Sequence, residues 1–401
     1  MINPKTQQRE LCYVVQINAI EPIVGSDNCE AAIVGGWRVM TRKGTFQAGD
    51  KAIYFEIDSK VPETETFAFL ASKHYKVKTQ KYTFGGKGLR ISQGLLMSFA
   101  DFGWDINKYE VGDFLTETLG VKYSVVEDNK RKASVDKYKR MAQRHPKLFK
   151  NSKIIQWLYK RVWGKKLLFL FLGNKRDKKA SFWPDWVVKT DEERVQNLPQ
   201  LFPSDNTEWF VTEKIDGTST TFTMKKIKRN KYEFYVCSRN VCFDKPEKET
   251  KLFYETNVYT EMALKYNIEE VLKNILNTHN EFIFVTIQGE TYGKSIQQRD
   301  YHMNSTDFKA FNLIFGYKNG TVKRLNPREM TEILTNTYNI PCVPILDEHF
   351  KLPESIDEMI AYADGASIID GDYREGVVLR TSDGINSFKA VSNTYLLKKG
   401  E

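Results

Sequence analysis

The chain has 401 residues, of which 41% are hydrophobic and 13% aromatic, so it can form real cores and is not expected to be disordered throughout. This length predicts two or three compact domains. The five cysteines are scattered, without a close pair or neighbouring histidines, and the polar N-terminus lacks the apolar stretch of a signal peptide. The longest apolar run, 167–172, is far too short to span a bilayer. These features predict a cytoplasmic protein with reduced thiols and no membrane partner.

Short strands with intervening glycines are predicted at the start of the chain. In the segment 50–58 the side chains alternate between an apolar face and a face that carries Tyr54 and Glu56, a pattern that predicts a half-buried strand. Further strands are predicted at 31–34 and 89–95. A succession of such strands favours a small barrel of OB type, and any other five- or six-stranded β domain is the alternative.

The positive charge is concentrated in the middle of the chain. The net charge is +9, but residues 130–179 alone contain 18 Lys and Arg against two Asp, a local charge of +16. Apolar spacing at 135–142 and 154–162 predicts two amphipathic helices there. Such a segment is interpreted either as a solvated helix face or as a track for a phosphate backbone. A polybasic membrane-surface patch is the least favoured interpretation, because no lipidation signal accompanies it.

The last part of the chain has a mixed pattern. Strands are predicted at 209–212 and 282–288, and a helix is predicted over 251–277. Antiparallel sheets flanked by helices would carry this pattern. The sequence therefore predicts an α+β protein in three parts: an OB-like β-barrel domain at 1–120, a basic helical connector at 121–180 and a domain of antiparallel sheets with helices at 181–401.

The segment Glu213-Lys214-Ile215-Asp216-Gly217 is the most informative motif. A Lys-x-Asp-Gly string alone should occur by accident in roughly one chain of this length in ten. Five further residues follow in short strand-like segments: Arg239, Glu290, Phe311, Glu375 and Lys389.

This ordered set resembles the covalent nucleotidyltransferase superfamily, which contains ATP-dependent DNA ligases, RNA ligases and messenger RNA capping enzymes. The whole chain is most similar to the RNA ligases that carry an OB domain before a nucleotidyltransferase domain. DNA ligases and capping enzymes place an OB domain after the last motif, whereas only 12 residues follow Lys389 here. The resemblance implies an ATP-dependent RNA ligase that seals 3′-hydroxyl and 5′-phosphate ends, in RNA repair, through a lysyl-AMP and an adenylated 5′ end.

The resemblance also implies roles for the motif residues. Lys214 would carry the AMP and Lys389 would bind the α-phosphate; Arg239 would complete the catalytic set and also contact the nucleotide. Three carboxylates would hold Mg²⁺ or Mn²⁺ and contact the ribose: Asp216, Glu290 and Glu375.

Further nucleotide contacts are implied around these motifs. Phe311 would stack on adenine, with core packing as the alternative. Glu213, which precedes the nucleophile, is also assigned to the nucleotide site. The segment 189–197 matches one that these RNA ligases place before the lysine motif; it contributes Lys189, Arg194 and Val195. A helix N-cap at Thr190 or Asp191 would explain the same segment without ATP.

One position departs from the superfamily pattern. Many members carry a second lysine two residues after the one at Lys389, where this chain has Val391. Lys398 or another cation is expected to compensate.

The chemistry sets a condition on Lys214. An unperturbed lysine has a pKa near 10.4 and is protonated at neutral pH, yet only the free amine attacks phosphorus. We therefore expect the site to lower the pKa of Lys214 through burial and through cations such as a metal, Arg239 or Lys389.

RNA, or a nicked duplex with 5′-phosphate and 3′-hydroxyl ends, is the expected partner, and no obligate protein partner is evident. Two alternatives stay open at this stage. The substrate could be DNA, or the chain could be a non-catalytic nucleic-acid-binding protein that senses ATP.

Overall fold

The computed structural model describes residues 1–6, 8–84, 87–124, 148–149, 152–172, 183–187, 190–203, 206–228, 231–239, 241–243, 257–297 and 299–399. It confirms the α+β class, with small β-sheets in the N-terminal part and larger antiparallel sheets with helices in the C-terminal part. The helix predicted from the spacing at 135–142 lies outside the described residues.

The N-terminal part is built from short antiparallel strands. β1 pairs with β5, which also pairs with β9, while β2, β3 and β4 form a meander and β7 and β8 form a hairpin. The strands are β1 (Cys12–Gln16), β2 (Ala19–Pro22), β3 (Cys29–Val34), β4 (Trp37–Arg42), β5 (Lys51–Phe55), β6 (Ser59–Lys60), β7 (Gln80–Phe84), β8 (Lys87–Ser92), β9 (Leu95–Met97) and β10 (Lys122–Tyr123). 3₁₀ helices occur at Glu65–Lys73, Phe99–Phe102 and Ile106–Lys108.

Strand β5 is buried on both faces, so the prediction of a half-buried strand at 50–58 is wrong. Ile53 and Phe55 pack against Phe67, which comes from the 3₁₀ helix Glu65–Lys73. Tyr54 packs on the opposite face against Trp37. The alternation of apolar and polar residues could not reveal this burial. It shows which face of a strand is apolar, but here both faces are covered, and a β-sheet covers only one of them.

The strand predicted at 89–95 is divided in two. Gly94 separates β8 from β9 and has a φ of 98°. A Cβ at this position would lie 2.4 Å from the Tyr54 ring, so the close packing also requires glycine.

Two helices of the connector are described: α1 (Lys153–Tyr159) and α2 (Val162–Leu172). The side chain of Ser152 caps α1 by accepting from the amide of Ile155. The single helix predicted over 154–162 is divided, because α1 ends at Tyr159 and α2 begins at Val162. Among the described residues, no helix is both long and apolar enough to cross a membrane.

Two sheets form the C-terminal part. The strands are β11 (Glu193–Arg194), β12 (Glu208–Lys214), β13 (Thr218–Lys228), β14 (Lys231–Ser238), β15 (Cys242–Phe243), β16 (Phe282–Gly293), β17 (Thr306–Tyr317), β18 (Val322–Arg324), β19 (Ile345–Lys351), β20 (Gly376–Thr381) and β21 (Ser387–Val391). One sheet has the order β11-β21-β20-β12-β19 and the other β15-β14-β13-β16-β17-β18. The strands predicted at 209–212 and 282–288 are confirmed within β12 and β16.

Helices cover these sheets. They are α3 (Val258–Lys265), α4 (Ile268–Thr278), α5 (Pro327–Thr331), α6 (Ile356–Ala363) and α7 (Asn393–Lys399), with 3₁₀ turns at Val195–Asn197 and Pro199–Leu201 and a π-helix at Glu332–Thr337. The single helix predicted over 251–277 is two helices, and residues 251–256 lie outside the described part. The chain turns between α3 and α4 at Asn267, whose φ is 48°.

The N-terminal strands and the C-terminal sheets share a core. Tyr395 and Leu396 of α7 are buried in the same cluster as Tyr54 and Trp37. Across the same seam, Arg194 donates to Asp58 at 3.0 Å, and both side chains are buried. This seam borders the cavities described next.

Candidate active site

Sheet pairing brings the main motif residues together. Lys214 ends β12 and lies opposite Gly376, so it is adjacent to Glu375. After Gly217 the chain enters β13, where Ser219 lies opposite Glu290 of β16. Three motifs that are distant in sequence therefore meet at the place where the two sheets adjoin.

The amine of Lys214 is ion-paired with Glu375. Its Nζ lies 2.7 Å from Glu375 Oε1. Burial alone would lower the pKa of Lys214, but the carboxylates of Glu375, Glu290 and Asp216 outweigh it and raise the pKa. Burial acts as expected, but without a metal the groups of the protein alone do not bring about the expected lowering of this pKa.

The reason is that the two expected cations are paired elsewhere. Asp191 contacts both: its Oδ1 lies 2.7 Å from Lys389 Nζ, and its Oδ2 lies 2.9 Å from Arg239 Nη2. Although burial acts in the opposite direction, Lys389, Arg9 and Arg239 hold the pKa of Asp191 well below its usual range. Burial lowers the pKa of Lys389 to about 8.

No helix begins at Thr190 or Asp191, so the N-cap interpretation of this segment is wrong. The chain instead forms strand β11, which runs parallel to β21 with Arg194 opposite Lys389. This pairing places Asp191 beside the phosphate-binding candidates. Asp191 is a site residue that the motifs did not predict, although it lies in the segment 189–197 before the lysine motif.

The three carboxylates are suited to a hard divalent cation. Loss of hydration raises the pKa of Glu290 to about 8, and the neighbouring charges of Glu375 and Asp216 act in the same direction. Glu375 Oε2 is buried and has no hydrogen-bond partner within the described residues. Asp216, Glu290 and Glu375 line one cavity, and carboxylate oxygens around a shared space suit Mg²⁺ or Mn²⁺ that keeps several of its waters. The residues present therefore fit such an ion.

A cavity of about 150 Å³, lined by charged residues and by one apolar wall, lies beside Lys214. Phe311 lines it together with Ile215, Val343 and Val378, and Arg380 Nη1 donates to the carbonyl of Phe311 at 3.1 Å. The placement of Phe311 at a cavity wall distinguishes it from the fully buried phenylalanines of the core, such as Phe308.

A second cavity, of about 280 Å³, adjoins the first and reaches the N-terminal domain. The two cavities share Lys214, Glu290, Arg239 and Lys389, while Glu375 and Asp216 line the second alone. The N-terminal domain contributes Arg9 and Asp58 to it, and the start of the connector contributes Tyr123. No local sequence signal marks those three residues, because only the packing of the two domains brings them to the site.

Lys399 takes the place expected for Lys398. Lys399 Nζ lies 3.1 Å from Asp216 Oδ1 and lines the second cavity, as does Val391. The amine of Lys398 instead lies 3.7 Å from the centre of the Tyr373 ring. Lys399, and not Lys398, therefore lies where a cation can compensate for the missing second lysine at Val391.

The remaining predicted nucleotide contacts differ in their settings. The carboxylate of Glu213 is buried and accepts from Ser367 Oγ at 2.5 Å and from the amide of Ile368 at 2.8 Å, so it is already occupied within the protein. Val195 is buried in the core and lines neither cavity. Arg194 lines the second cavity. Lys189 lies outside the described residues.

Comparisons with known proteins agree with this architecture. The RNA ligase family profile matches residues 207–391, which contain all the motifs from Lys214 to Lys389. These residues form an RNA ligase domain. An OB-fold domain profile matches residues 11–99 of this RNA ligase, in agreement with the predicted N-terminal barrel.

Solved structures extend the similarity over nearly the whole ligase. A Naegleria gruberi RNA ligase variant with ATP and manganese is 26% identical, covers 98% of each chain and has a TM-score of 0.70. The same Naegleria enzyme with pyrophosphate and a variant with AMP and manganese also have TM-scores of 0.70 and 26% identity, with coverage of 97–98% of this chain and 99% of theirs. No curated protein sequence gives a significant match. The resemblance found in the motifs is confirmed.

Proposed function

We propose that this RNA ligase uses ATP to transfer AMP to Lys214 and then to an RNA 5′-phosphate, sealing that end to a 3′-hydroxyl. The observation that carries the proposal is the convergence of Lys214, Glu290 and Glu375 with the Asp191-paired cations Arg239 and Lys389 around two adjoining cavities. The similar Naegleria enzyme, whose structures hold ATP, AMP, manganese or pyrophosphate, supports the same cofactors here.

In the first step, the unprotonated amine of Lys214 attacks the α-phosphorus of ATP. A P–N bond forms and the P–O bond to the β-phosphate breaks, so pyrophosphate leaves with the electron pair. The carboxylates of Glu375, Glu290 and Asp216 hold the amine protonated when no cation balances them. Mg²⁺ or Mn²⁺ held by these three residues would offset their charge, lower the pKa of Lys214 and neutralise phosphate charge.

Lys389 and Arg239 are the proposed phosphate-binding groups. Asp191 keeps both cations oriented toward the cavity that Lys214 lines, so little reorganisation is needed when a phosphate arrives. Phe311 is proposed to stack on adenine at the apolar wall of the first cavity, beside Val343 and Val378. Arg194 and Val195 stay candidates for nucleotide contacts, Arg194 by its side chain and Val195 only by its backbone. For Glu213 too, only a backbone contact remains open, because its carboxylate is engaged.

The second and third steps use the RNA ends. The 5′-phosphate oxygen attacks the phosphorus of lysyl-AMP, which frees the lysine and leaves an adenylated 5′ end. The 3′-hydroxyl oxygen then attacks the 5′-phosphorus and AMP leaves, so a phosphodiester is formed. RNA repair in the cytoplasm, on single strands or nicked duplexes, is the proposed setting, without an obligate protein partner.

The proposed division of labour follows the domains. Residues 181–401 would carry out the adenylyl transfers, residues 1–120 would contribute Arg9 and Asp58 to the site, and the start of the connector would contribute Tyr123. The basic connector at 121–180 lies between them in sequence. The lysines and arginines of the connector would contact the phosphates of the RNA strand. Such contacts position a strand without reading its bases.

A sealing assay on matched nicks tests this function. The duplexes would carry a 5′-phosphate and differ only in whether the 3′-hydroxyl strand ends in RNA or DNA. We expect ATP-dependent sealing of the RNA end, none by Lys214→Ala, and normal sealing by the surface control Lys228→Ala. Equal sealing of both ends would make the enzyme a general strand ligase, and ATP binding without sealing of any end would leave a nucleotide sensor.

A further inference from the structure

The two connector helices expose an unusual amount of apolar surface. Seven of the sixteen large hydrophobic side chains that are exposed within the described part of the chain lie between 148 and 171. Of these seven, the most exposed are Phe171 at 76% and Ile154 at 72%. The other nine are scattered over both domains. A concentration of this kind marks an interaction surface, whereas single exposed hydrophobics do not.

Six of these side chains form one surface, here called the apolar face: Ile154, Trp157, Trp163, Leu167, Leu170 and Phe171. The four members on α2 are spaced by four, three and one residues, which places them on one side of the helix. Leu168 of the same helix is buried at 6%. The Trp157 and Trp163 rings meet edge to face at 5.9 Å, so the exposed sides of α1 and α2 are continuous.

Cations border the apolar face and no acidic residue interrupts it. From 148 to 172 the sequence has six Lys and Arg and no Asp or Glu. The Arg161 guanidinium lies 4.1 Å above the Trp157 ring, and Lys165 Nζ lies 5.1 Å from the centre of the Tyr159 ring. Lys160 and Lys166 are exposed to solvent. The surface therefore suits a partner that is both anionic and apolar.

An RNA strand satisfies only half of this description. Its bases could stack on Trp157 and Trp163, and its phosphates could pair with the lysines. Exposed aliphatic side chains such as Ile154 and Leu170 would gain nothing from a hydrated phosphate backbone. An anionic bilayer offers phosphate headgroups to the lysines, an acyl boundary to the aliphatic side chains and an interfacial layer to the tryptophans.

We propose that the apolar face of α1 and α2 docks this ligase on the surface of an anionic lipid bilayer. Docking is peripheral: the helices lie in the interface with their apolar side toward the acyl chains, and the lysine stems extend to the headgroups. The ligase would then act on RNA close to a membrane surface. The proposal is independent of the sealing chemistry and concerns where the enzyme is held. It replaces the expectation of no membrane partner, because the sequence pattern did not reveal the exposed apolar face.

Co-sedimentation of the full-length protein with vesicles tests the proposal. One set would contain phosphatidylcholine alone and the other phosphatidylcholine mixed with phosphatidylglycerol. We expect binding to the mixed vesicles, weakened by at least about tenfold in the double variant Leu170→Ser/Phe171→Ser. The matched control is Leu264→Ser/Ile385→Ser, which removes two side chains that are exposed at 71% and 74% elsewhere and should bind like the wild type.

The charge component has its own variant. Lys165→Gln/Lys166→Gln keeps the apolar face intact, so it guards against a folding defect in the serine variant. It should bind the mixed vesicles more weakly and with less dependence on salt. Retained adenylation of Lys214 would show that each variant is folded.

Two results would overturn the proposal. One comes from the vesicle assay: either the wild type does not bind the mixed vesicles, or Leu170→Ser/Phe171→Ser binds them as well as the wild type does. The other comes from a single-stranded RNA binding assay run in parallel: loss of RNA affinity in Leu170→Ser/Phe171→Ser, with no vesicle binding by any protein, would make the apolar face a strand-binding surface.

Discussion

Lys214 Nζ and Glu375 Oε1 lie 2.7 Å apart, so the nucleophile and a proposed metal ligand form one ion pair in the nucleotide-free enzyme. The pair raises the pKa of Lys214 rather than lowering it. Activation of the amine therefore depends on the positive charge that a metal ion would bring.

Replacing Glu375 separates the two effects of its carboxylate. Glu375→Gln removes the ion pair, so the pKa of Lys214 should fall, but it also removes a charged oxygen ligand from the metal site. We expect the loss of the ligand to dominate and lower the adenylation rate by about 100-fold. The measurement is single-turnover transfer of labelled AMP, with the exposed Glu354→Gln as control. Faster transfer in Glu375→Gln would show that the ion pair, not the metal, limits the step.

Gly217 is required by close packing. A Cβ there would lie 2.4 Å from the carbonyl oxygen of Thr291 and 2.9 Å from Glu290 Cγ. Gly217→Ala should therefore displace Glu290 and reduce AMP transfer by at least about tenfold, since small displacements in an active site are costly. Gly320→Ala is the control: its φ is 86° and its Cβ would meet nothing, so it should cost some stability and leave AMP transfer unchanged. Equal activity of the two variants would contradict the account.

Lys389 predicts how nucleotide affinity depends on pH. Its pKa is lowered to about 8, so the free enzyme loses this positive charge as the pH rises above that value. Affinity for an ATP analogue with an uncleavable α–β bridge should then fall by up to about tenfold per pH unit above pH 8. Lys389→Arg stays charged throughout and should remove the alkaline decline. An identical decline in both proteins would mean that another group is responsible.

Glu56 lies at the seam between the domains, where its Oε1 accepts from Asn197 Nδ2 at 2.9 Å, and it predicts acid sensitivity there. Burial alone would raise its pKa, but Arg9 and the amino group of Met1 outweigh burial and lower the pKa from 4.5 to about 2. Because the folded-state pKa is the lower one, this stabilisation is fully present above about pH 4.5 and is lost as the pH falls through about 2. Its size is about 3 kcal/mol.

Urea unfolding at a series of pH values measures this effect. The free energy of unfolding of the wild type should fall between pH 4.5 and 2, and Glu56→Gln should be less stable at neutral pH with a flatter dependence. Glu117→Gln, at an exposed position, should follow the wild type. Parallel curves for Glu56→Gln and the wild type would show that Glu56 contributes nothing to the seam.

The motif residues could be found from sequence because each lies on or beside a strand and keeps its order. Lys214, Glu290 and Glu375 needed no knowledge of long-range packing to be recognised. Their pairing could not be predicted in the same way. Asp191 joins Lys389 and Arg239 through a short parallel strand pair that no periodicity reveals.

Contacts between domains were also beyond sequence patterns. Arg9 and Asp58 reach the second cavity only because Tyr395 and Leu396 are buried in the N-terminal core. The same packing covers Tyr54, which alternation assigns to an exposed face. A local pattern reports which side of a strand is apolar, but it does not report how many partners the strand will have.

Mapping the site of covalent AMP tests the proposed transfer of AMP to Lys214 most directly. The purified ligase, stripped of bound AMP, would be incubated with α-labelled ATP and either Mg²⁺ or Mn²⁺, denatured and mapped by peptide mass spectrometry. We expect label on Lys214, none in Lys214→Ala and normal label in Lys228→Ala. Label on another residue, or none from folded protein with either metal, would contradict the proposed transfer.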